Sequence, residues 1–132
     1  MKLTRVLDHA DATKICRALV AAASADGGAP VTVGVAGADG VLVVLERMDG
    51  APALGVNILM AKLHTAVVGL KDTIERHGKG ISPADYNDPR ITTYGGGVVL
   101  KHDGHVYGAI AVSGRKPEED HALADAARRA LS

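Results

Sequence analysis

Two stretches of this sequence decide its fold: residues 31–47, VTVGVAGADGVLVVLER, and residues 98–113, VVLKHDGHVYGAIAVS. Each stretch contains two runs rich in valine and other aliphatic residues, with a short polar break between them. The breaks carry Asp-Gly pairs, Asp39-Gly40 in the first stretch and Asp103-Gly104 in the second. Asp-Gly pairs favour the positive φ angles of tight hairpin turns. The sequence therefore predicts two β-hairpins.

Three helical patterns accompany the hairpins. Residues 8–25 repeat apolar side chains at intervals of three and four, with Asp8 placed to cap the start of the helix. Residues 52–70 form a second helix with Pro52 in its first turn, and they are apolar around most of the circumference. Such a helix is buried on more than one side. A third helix begins at Pro117, where acidic residues occupy the first turn.

The segment between the second helix and the second hairpin has no regular pattern. Residues 78–97 contain several glycines and prolines, and a long irregular stretch in a small domain is often functional. The predicted order of elements is α-ββ-α-loop-ββ-α. Because hairpins pair their strands antiparallel, we expect an α+β fold in which helices flank a mainly antiparallel sheet.

Composition limits both the core and the class of partner. The chain has 132 residues, which suits a single domain spanning residues 1–132. It has no Phe or Trp and three Tyr, so Val, Leu, Ile and Ala must build the core. The formal net charge is zero, with no basic stripe and no set of aromatic residues on which bases would stack. These features argue against binding to nucleic acid.

Other classes of protein are disfavoured by single features. Cys16 is the only cysteine, which excludes an internal disulfide and a multi-cysteine zinc site. Polar and charged residues interrupt the apolar stretch 53–70, so we expect no membrane span. No apolar signal core follows residues 1–5, and we expect a cytoplasmic location.

Lys62 is the most informative single position. It lies within the apolar second helix, and Gly55 and Gly69 share its face at seven residues to either side. This face leaves room for a ligand or for the close approach of another backbone. A desolvated lysine can act as a base, form a Schiff base or bind an anion. The alternative is a lysine that reaches solvent or pairs with a carboxylate at an interface.

Two arginines follow the second strands of the hairpins. Arg47 precedes Asp49-Gly50, and Arg115 follows Ser113-Gly114, so both could bind a carboxylate if the two loops meet at one end of the sheet. The alternative is that each arginine forms a structural ion pair. The run Gly95-Gly96-Gly97 allows backbone N–H groups to approach an anion, although triple glycine is also typical of a flexible loop.

The six histidines do not form a metal-binding pattern. They occupy positions 9, 64, 77, 102, 105 and 121, without His-x-x-x-His spacing and with a single isolated Glu-x-x-His match at Glu118 and His121, so we predict no dedicated metal site. A single histidine is nevertheless sufficient to ligate haem iron.

Several motifs together resemble one family. They are Leu45-Glu46-Arg47-Met48-Asp49-Gly50-Ala51, Ala61-Lys62-Leu63-His64-Thr65-Ala66, Gly95-Gly96-Gly97 and Gly108-Ala109-Ile110-Ala111-Val112-Ser113-Gly114, followed by Glu119-Asp120. Their order and spacing resemble the GlcG-like family, which includes haem-binding HbpS-type proteins and the C-terminal domain of PduO-type adenosyltransferases. The resemblance covers nearly the whole chain.

The resemblance implies a profilin-like α-β-α domain that assembles into homo-oligomers, with haem or a related small ligand bound by some members. Combined with the residues above, it gives a set of candidate ligand-binding positions. The set is Arg47, Asp49, Lys62, Thr65, Tyr94, Gly96, Gly97, Ser113, Arg115 and Asp120.

Three functions remain open at this point. The first is an oligomeric binding protein for haem or another carboxylate-bearing ligand. The second is a cofactor-free isomerase, tautomerase or lyase for a small acidic or carbonyl metabolite, with Lys62 as the catalytic residue and residues 78–97 as a substrate lid. The resemblance places the binding protein first. The complete lack of Phe and Trp places the enzyme close behind it, because haem usually packs against large side chains. The third is an assembly module in which Lys62 forms an interface ion pair.

Overall fold

The structure, a computed structural model, describes residues 6–80 and 82–131. Its three helices are α1 (His9–Ala25), α2 (Leu54–Gly69) and α3 (Pro117–Arg129), and its strands are β1 (Thr32–Gly37), β2 (Leu42–Arg47), β3 (Gly97–His102) and β4 (His105–Ser113). The predicted order of helices and hairpins is confirmed. The start of the chain, on which the expected cytoplasmic location rests, lies outside the described residues.

The four strands form one antiparallel sheet in the order β2-β1-β4-β3. The central strands β1 and β4 belong to different hairpins, so the two hairpins join through their inner strands. Thr32 pairs with Arg47 on one side and with Ser113 on the other. The loops that follow β2 and β4 therefore leave the sheet at the same end, as the sequence predicted.

Helices cover both faces of the sheet. On one face, valines and leucines of the strands pack against α1 and α3, with Ile15 and Leu19 of α1 in this cluster. On the other face α2 packs against small residues, including Ala109 and Ala111. Gly34 lies under α2 so closely that a Cβ there would stand 2.7 Å from a methyl carbon of Leu59. The small residues let α2 lie close to the sheet.

The Asp-Gly turns have the predicted backbone conformations. Gly40 has φ of 77°, and the side chain of Asp39 accepts a hydrogen bond from the amide of Val41 at 2.9 Å. In the second turn both Asp103 and Gly104 have positive φ, which is the arrangement of a type I′ hairpin.

Two details differ from the expectations for helices and loops. Pro52 lies before α2 rather than in its first turn, because the helix begins at Leu54. The stretch 78–97 is not wholly irregular, since Pro83–Tyr86 forms a 3₁₀ turn capped by Ser82, and a similar turn, Thr73–Arg76, precedes it. At the other end of the chain, Asp8 caps α1 as predicted by accepting from the amide of Asp11 at 2.8 Å.

None of the helices in the described ranges combines the length and the apolar character needed to cross a bilayer.

Candidate functional site

A buried ion pair joins α2 to α3 at the end of the sheet. The ammonium Nζ of Lys62 lies 3.0 Å from Oδ2 of Asp120 and donates a second hydrogen bond, of 2.8 Å, to the carbonyl of Val112. The side chains of Lys62 and Asp120 are each 2% exposed. The second oxygen of Asp120 accepts from the amide of Arg115 at 3.0 Å. The structure thus places Lys62 in a pocket of polar groups and not at the surface.

Burial acts on both members of this pair. Removal from water lowers the pKa of Lys62 and raises the pKa of Asp120, because it disfavours each charged form. The opposite charge of the partner counteracts both shifts. For Asp120, hydrogen bonds from the backbone amides of Gly114 and Arg115 add to this opposing effect. The charged pair and the neutral pair are therefore closer in free energy than they would be in water.

The glycine run makes room for the pair. A Cβ on Gly96 would stand 2.7 Å from Nζ of Lys62, and a Cβ on Gly97 would stand 2.6 Å from the backbone oxygen of Lys62. The amide of Gly97 donates to the hydroxyl of Thr73 at 3.0 Å. Sequence reasoning considered anion binding or flexibility for this run. The structure shows a third use, which is the close approach of backbone to α2.

Five of the predicted site residues line one cavity of about 270 Å³, which we call the Lys62 pocket. They are Lys62, Tyr94, Ser113, Arg115 and Asp120. The pocket lies between the start of α2 and the β4–α3 turn.

The guanidinium of Arg115 is fixed by residues at the end of α1 and just after it. It contacts the carboxylate of Asp26 at 2.6 and 2.9 Å and donates to the carbonyl of Ala29 at 2.8 Å. The hydrogen bonds from Arg115 lower the pKa of Asp26 to about 2. Of the two roles considered for Arg115, the structure shows the ion pair.

The other predicted residues lie outside the Lys62 pocket. Arg47 donates to the carbonyl of Ala51 at 3.0 and 2.8 Å, which fixes the loop before α2. Asp49 is exposed in that loop. Thr65 is buried, and its hydroxyl accepts from the amide of Thr92 at 2.9 Å, so it positions the chain that leads to the glycine run.

Sequence reasoning missed a second cavity, of about 660 Å³, between the Thr73–Arg76 turn, β3 and the end of α3. We call it the charged cleft. Its cationic lining residues are Lys71, Lys101, Arg128 and Arg129, and His102 lies among them. These residues are spread over three separate segments of the chain, so no local motif could have pointed to them. The signal available was the pair of basic residues at the end of the third helix.

Two of the four cations in the cleft are fixed by carboxylates. Arg128 contacts Asp72 at 2.8 Å and Asp125 at 2.6 Å, and Arg129 contacts Asp125 at 2.8 Å. Lys71 and Lys101 are exposed at its edge.

The chain is similar to proteins of one family over most of its length. A family model described as "Haem degrading protein HbpS-like" matches residues 7–129. The chain is 33% identical to the protein GlcG of Escherichia coli strain K12 over 85 residues, which span 63% of this chain and 63% of GlcG.

Solved structures give the same result. The fold matches that of the PduOC–haem complex with a TM-score of 0.85 and 28% identity, covering 96% of this chain and 95% of that one. It also matches a double mutant of HbpS from Streptomyces reticuli, with a TM-score of 0.86 and 29% identity over 100% of this chain and 91% of that one. These matches confirm the resemblance inferred from the motifs.

Proposed function

The chain belongs to the HbpS-like family, and from this premise we propose that it binds haem in the charged cleft. The proposal rests on two features of that cleft together, its volume and the cationic and imidazole side chains that line it. A volume of about 660 Å³ lies within the range of small-molecule and cofactor sites. The Lys62 pocket, at about 270 Å³, lies below that range.

The lining of the charged cleft fits the chemical parts of haem. Lys71 and Lys101 would bind the two propionates at the open edge. Leu131, which is 43% exposed, contributes apolar surface for the macrocycle, and the buried Leu100 and Tyr107 lie behind it. His102 would supply an imidazole nitrogen to the iron, which needs one or two protein ligands. Bound haem would supply redox and oxygen chemistry.

His102 is favoured over two other histidines by its hydrogen bonding. Nε2 of His64 lies 2.8 Å from Asp88, and Nε2 of His77 lies 3.2 Å from Glu118, so both nitrogens are already in contact with carboxylates. Nε2 of His102 lies 3.5 Å from the exposed carboxylate of Asp103, and about half of the His102 side chain is exposed. Coordination of iron by Nε2 of His102 would therefore break only this one long contact.

Titration with haemin tests this proposal. The native protein should give a saturable Soret shift, and His102→Ala should abolish the shift or change its position. His9→Ala is the matched control, because His9 is exposed at the start of α1 and should leave the spectrum unchanged. Absence of a Soret shift with the native chain, or equal spectra for His102→Ala and the native protein, would reject the charged cleft as the haem site.

A second pair of variants tests the propionate contacts. Lys71→Gln and Lys101→Gln should each weaken haemin binding by up to about fivefold, the effect expected from losing one exposed charge contact. The same variants should not change the affinity for the dimethyl ester of haemin, which lacks the carboxylates. Equal losses for haemin and its ester would contradict the assignment.

We also propose that the chain self-associates through the outward face of α2. Leu54 and Val68 are 66% and 51% exposed on one side of α2, and Met60, farther around the helix, is 39% exposed. Apolar side chains left exposed along one helix are typical of a protein–protein contact. A second copy of the chain is the partner that the family implies.

A further inference from the structure

We propose that the Lys62 pocket binds a small, uncharged aldehyde or ketone, and that Lys62 forms a Schiff base with it. This site is independent of haem. Its lining shares no residue with the charged cleft, so one proposal can fail without the other.

The pocket combines apolar walls with a polar floor. Leu54, Ile58 and Pro117 contribute apolar surface, while Lys62 and Asp120 lie at the floor. An ammonium has three N–H donors, and Lys62 uses two of them on Val112 and Asp120. The third donor remains for the oxygen of a carbonyl compound.

Two hydroxyls lie close to Gly55, and that of Ser113 also lines the pocket. Those of Ser113 and Thr32 stand 3.5 and 3.8 Å from the point that a Cβ on Gly55 would occupy. The Thr32 hydroxyl is buried and has no hydrogen-bond partner within the part of the chain that the structure describes. A buried hydroxyl without a partner is costly, and such a group is explained by a functional role or by a bound water or ion. A polar ligand head beneath Gly55 would relieve that cost.

Charge selects an uncharged ligand over an acidic one. Lys62 and Asp120 cancel each other, and the Arg115 guanidinium is neutralised by Asp26. A carboxylate would enter without a free cation to receive it and would meet the carboxylate of Asp120. A carbonyl oxygen needs one or two hydrogen-bond donors and no counter-charge.

Volume sets the size of the ligand. A cavity of about 270 Å³ equals roughly nine water volumes of about 30 Å³ each. The pocket therefore suits a short-chain aldehyde or ketone with fewer than about ten non-hydrogen atoms.

The ion pair can supply both the nucleophile and the acid that imine formation needs. A proton moves from Nζ of Lys62 across the 3.0 Å contact to Asp120, which leaves a neutral amine and a neutral carboxylic acid with no change in net charge. The amine attacks the carbonyl carbon, and a proton transfer from nitrogen to oxygen gives a carbinolamine. Asp120 then protonates the departing hydroxyl, which leaves as water.

The products are a protonated imine on Lys62, one water molecule and the carboxylate of Asp120. The carbonyl oxygen leaves as the water molecule. The net charge does not change, because the starting ammonium and carboxylate carry the same total charge as the final iminium and carboxylate. Backbone amides of Gly114 and Arg115 hold the carboxyl group in place throughout.

Reductive trapping with butanal and cyanoborohydride, in haem-free protein, tests the proposal. Peptide mass spectrometry should find one butyl group on Lys62, formed with saturable dependence on butanal. Modification of Lys62 should be faster than that of exposed Lys14, because the pocket holds the carbonyl compound beside Nζ, and because burial lowers the pKa of Lys62 and so raises its neutral amine fraction. Glyoxylate, which carries a carboxylate, should show no preference for Lys62.

Two variants separate the chemistry from the fold. Ile58→Trp should fill the pocket and remove the preference for Lys62 while leaving the ion pair intact. Asp120→Asn keeps a side chain of the same shape but loses the acid, and trapping at Lys62 should slow by about 100-fold, the usual contribution of a general acid. Circular dichroism and thermal unfolding would report whether each variant is folded.

Equal modification of Lys62 and Lys14 in the native protein would overturn the proposal. An unchanged rate at Lys62 in a folded Ile58→Trp variant would also overturn it, because modification would then not pass through the pocket.

Discussion

At the scale of single residues, the missing side chain of Gly96 decides whether the buried ion pair can form. A Cβ there would stand 2.5 Å from the carbonyl oxygen of Val112 and 2.7 Å from Nζ of Lys62. Gly96→Ala would force these groups apart and weaken the contact with Asp120. We expect the free energy of unfolding to fall by about 3–5 kcal/mol, as when a buried ion pair loses one partner. Urea denaturation would measure this change.

Gly78→Ala is the matched control for Gly96→Ala. Both glycines have positive φ, 71° at Gly78 and 129° at Gly96, but a Cβ on Gly78 would meet nothing within 4 Å. The control should cost only the strain of positive φ, about 1–2 kcal/mol. If the two substitutions destabilise the protein equally, the glycine at position 96 is required by its backbone angle and not by the ion pair.

At the scale of elements, an ion pair joins the end of α1 to the turn between β4 and α3. Asp26 accepts from Arg115, and this hydrogen bond lowers the pKa of Asp26 from 3.8 to about 2. A carboxyl group with a lowered pKa in the folded state stabilises the protein above its unfolded pKa. That stabilisation is lost as the pH falls from about 4 to about 2.

Asp26→Asn tests this pH dependence. The amide oxygen can still accept from the amide of Gly28, as Asp26 does at 2.8 Å, but the charge opposite Arg115 is lost. The variant should be less stable than the native protein at pH 6, and the difference should vanish near pH 2. Urea midpoints between pH 2 and pH 7 would measure it. Exposed Asp49→Asn serves as the control, and a difference that persists at pH 2 would contradict the role of this pair.

The hairpins could be predicted from sequence because an Asp-Gly turn is specified by residues next to each other. The partners of Lys62 and Arg115 could not. Asp120 is 58 residues from Lys62, and Asp26 is 89 residues from Arg115. Only the folded sheet, with β1 and β4 adjacent, brings those positions together. The motif spacing identified Lys62 as unusual but left its partner open.

The start of α2 is a boundary that the local sequence pattern predicted slightly wrongly. Proline is favoured in the first turn of a helix, which placed Pro52 inside α2 in the prediction. In the structure Arg47 binds the carbonyl of Ala51, and the amide of Gly55 donates to the carbonyl of Pro52 at 3.0 Å. These contacts form a turn before the helix begins at Leu54. The contact between Arg47 and Ala51, four residues apart in the chain, therefore holds the turn that precedes the helix.

At the scale of the whole molecule, the two faces of the sheet are covered unequally. Two helices, α1 and α3, share one face, whereas α2 alone covers the other and presents its opposite side outward. That outward side bears Leu54 and Val68, which lie two heptads apart and therefore on one stripe. A stable contact between two copies buries roughly 800 Å² on each partner, which a helix of this length and its neighbouring loops can supply.

If two copies associate through this stripe, charged side chains introduced on it should prevent the association. Leu54→Lys combined with Val68→Lys should convert the native oligomer to a monomer, because both ammonium groups would have to be buried at the contact. Val6→Lys is the control. Val6 is also apolar and exposed, at 79%, but it lies beside α1 on the opposite face of the sheet and should leave the assembly intact. Light scattering coupled to gel filtration, over a tenfold range of concentration, would measure the masses. A native chain that stays monomeric at every concentration, or a double variant with the native mass, would rule out α2 as the contact.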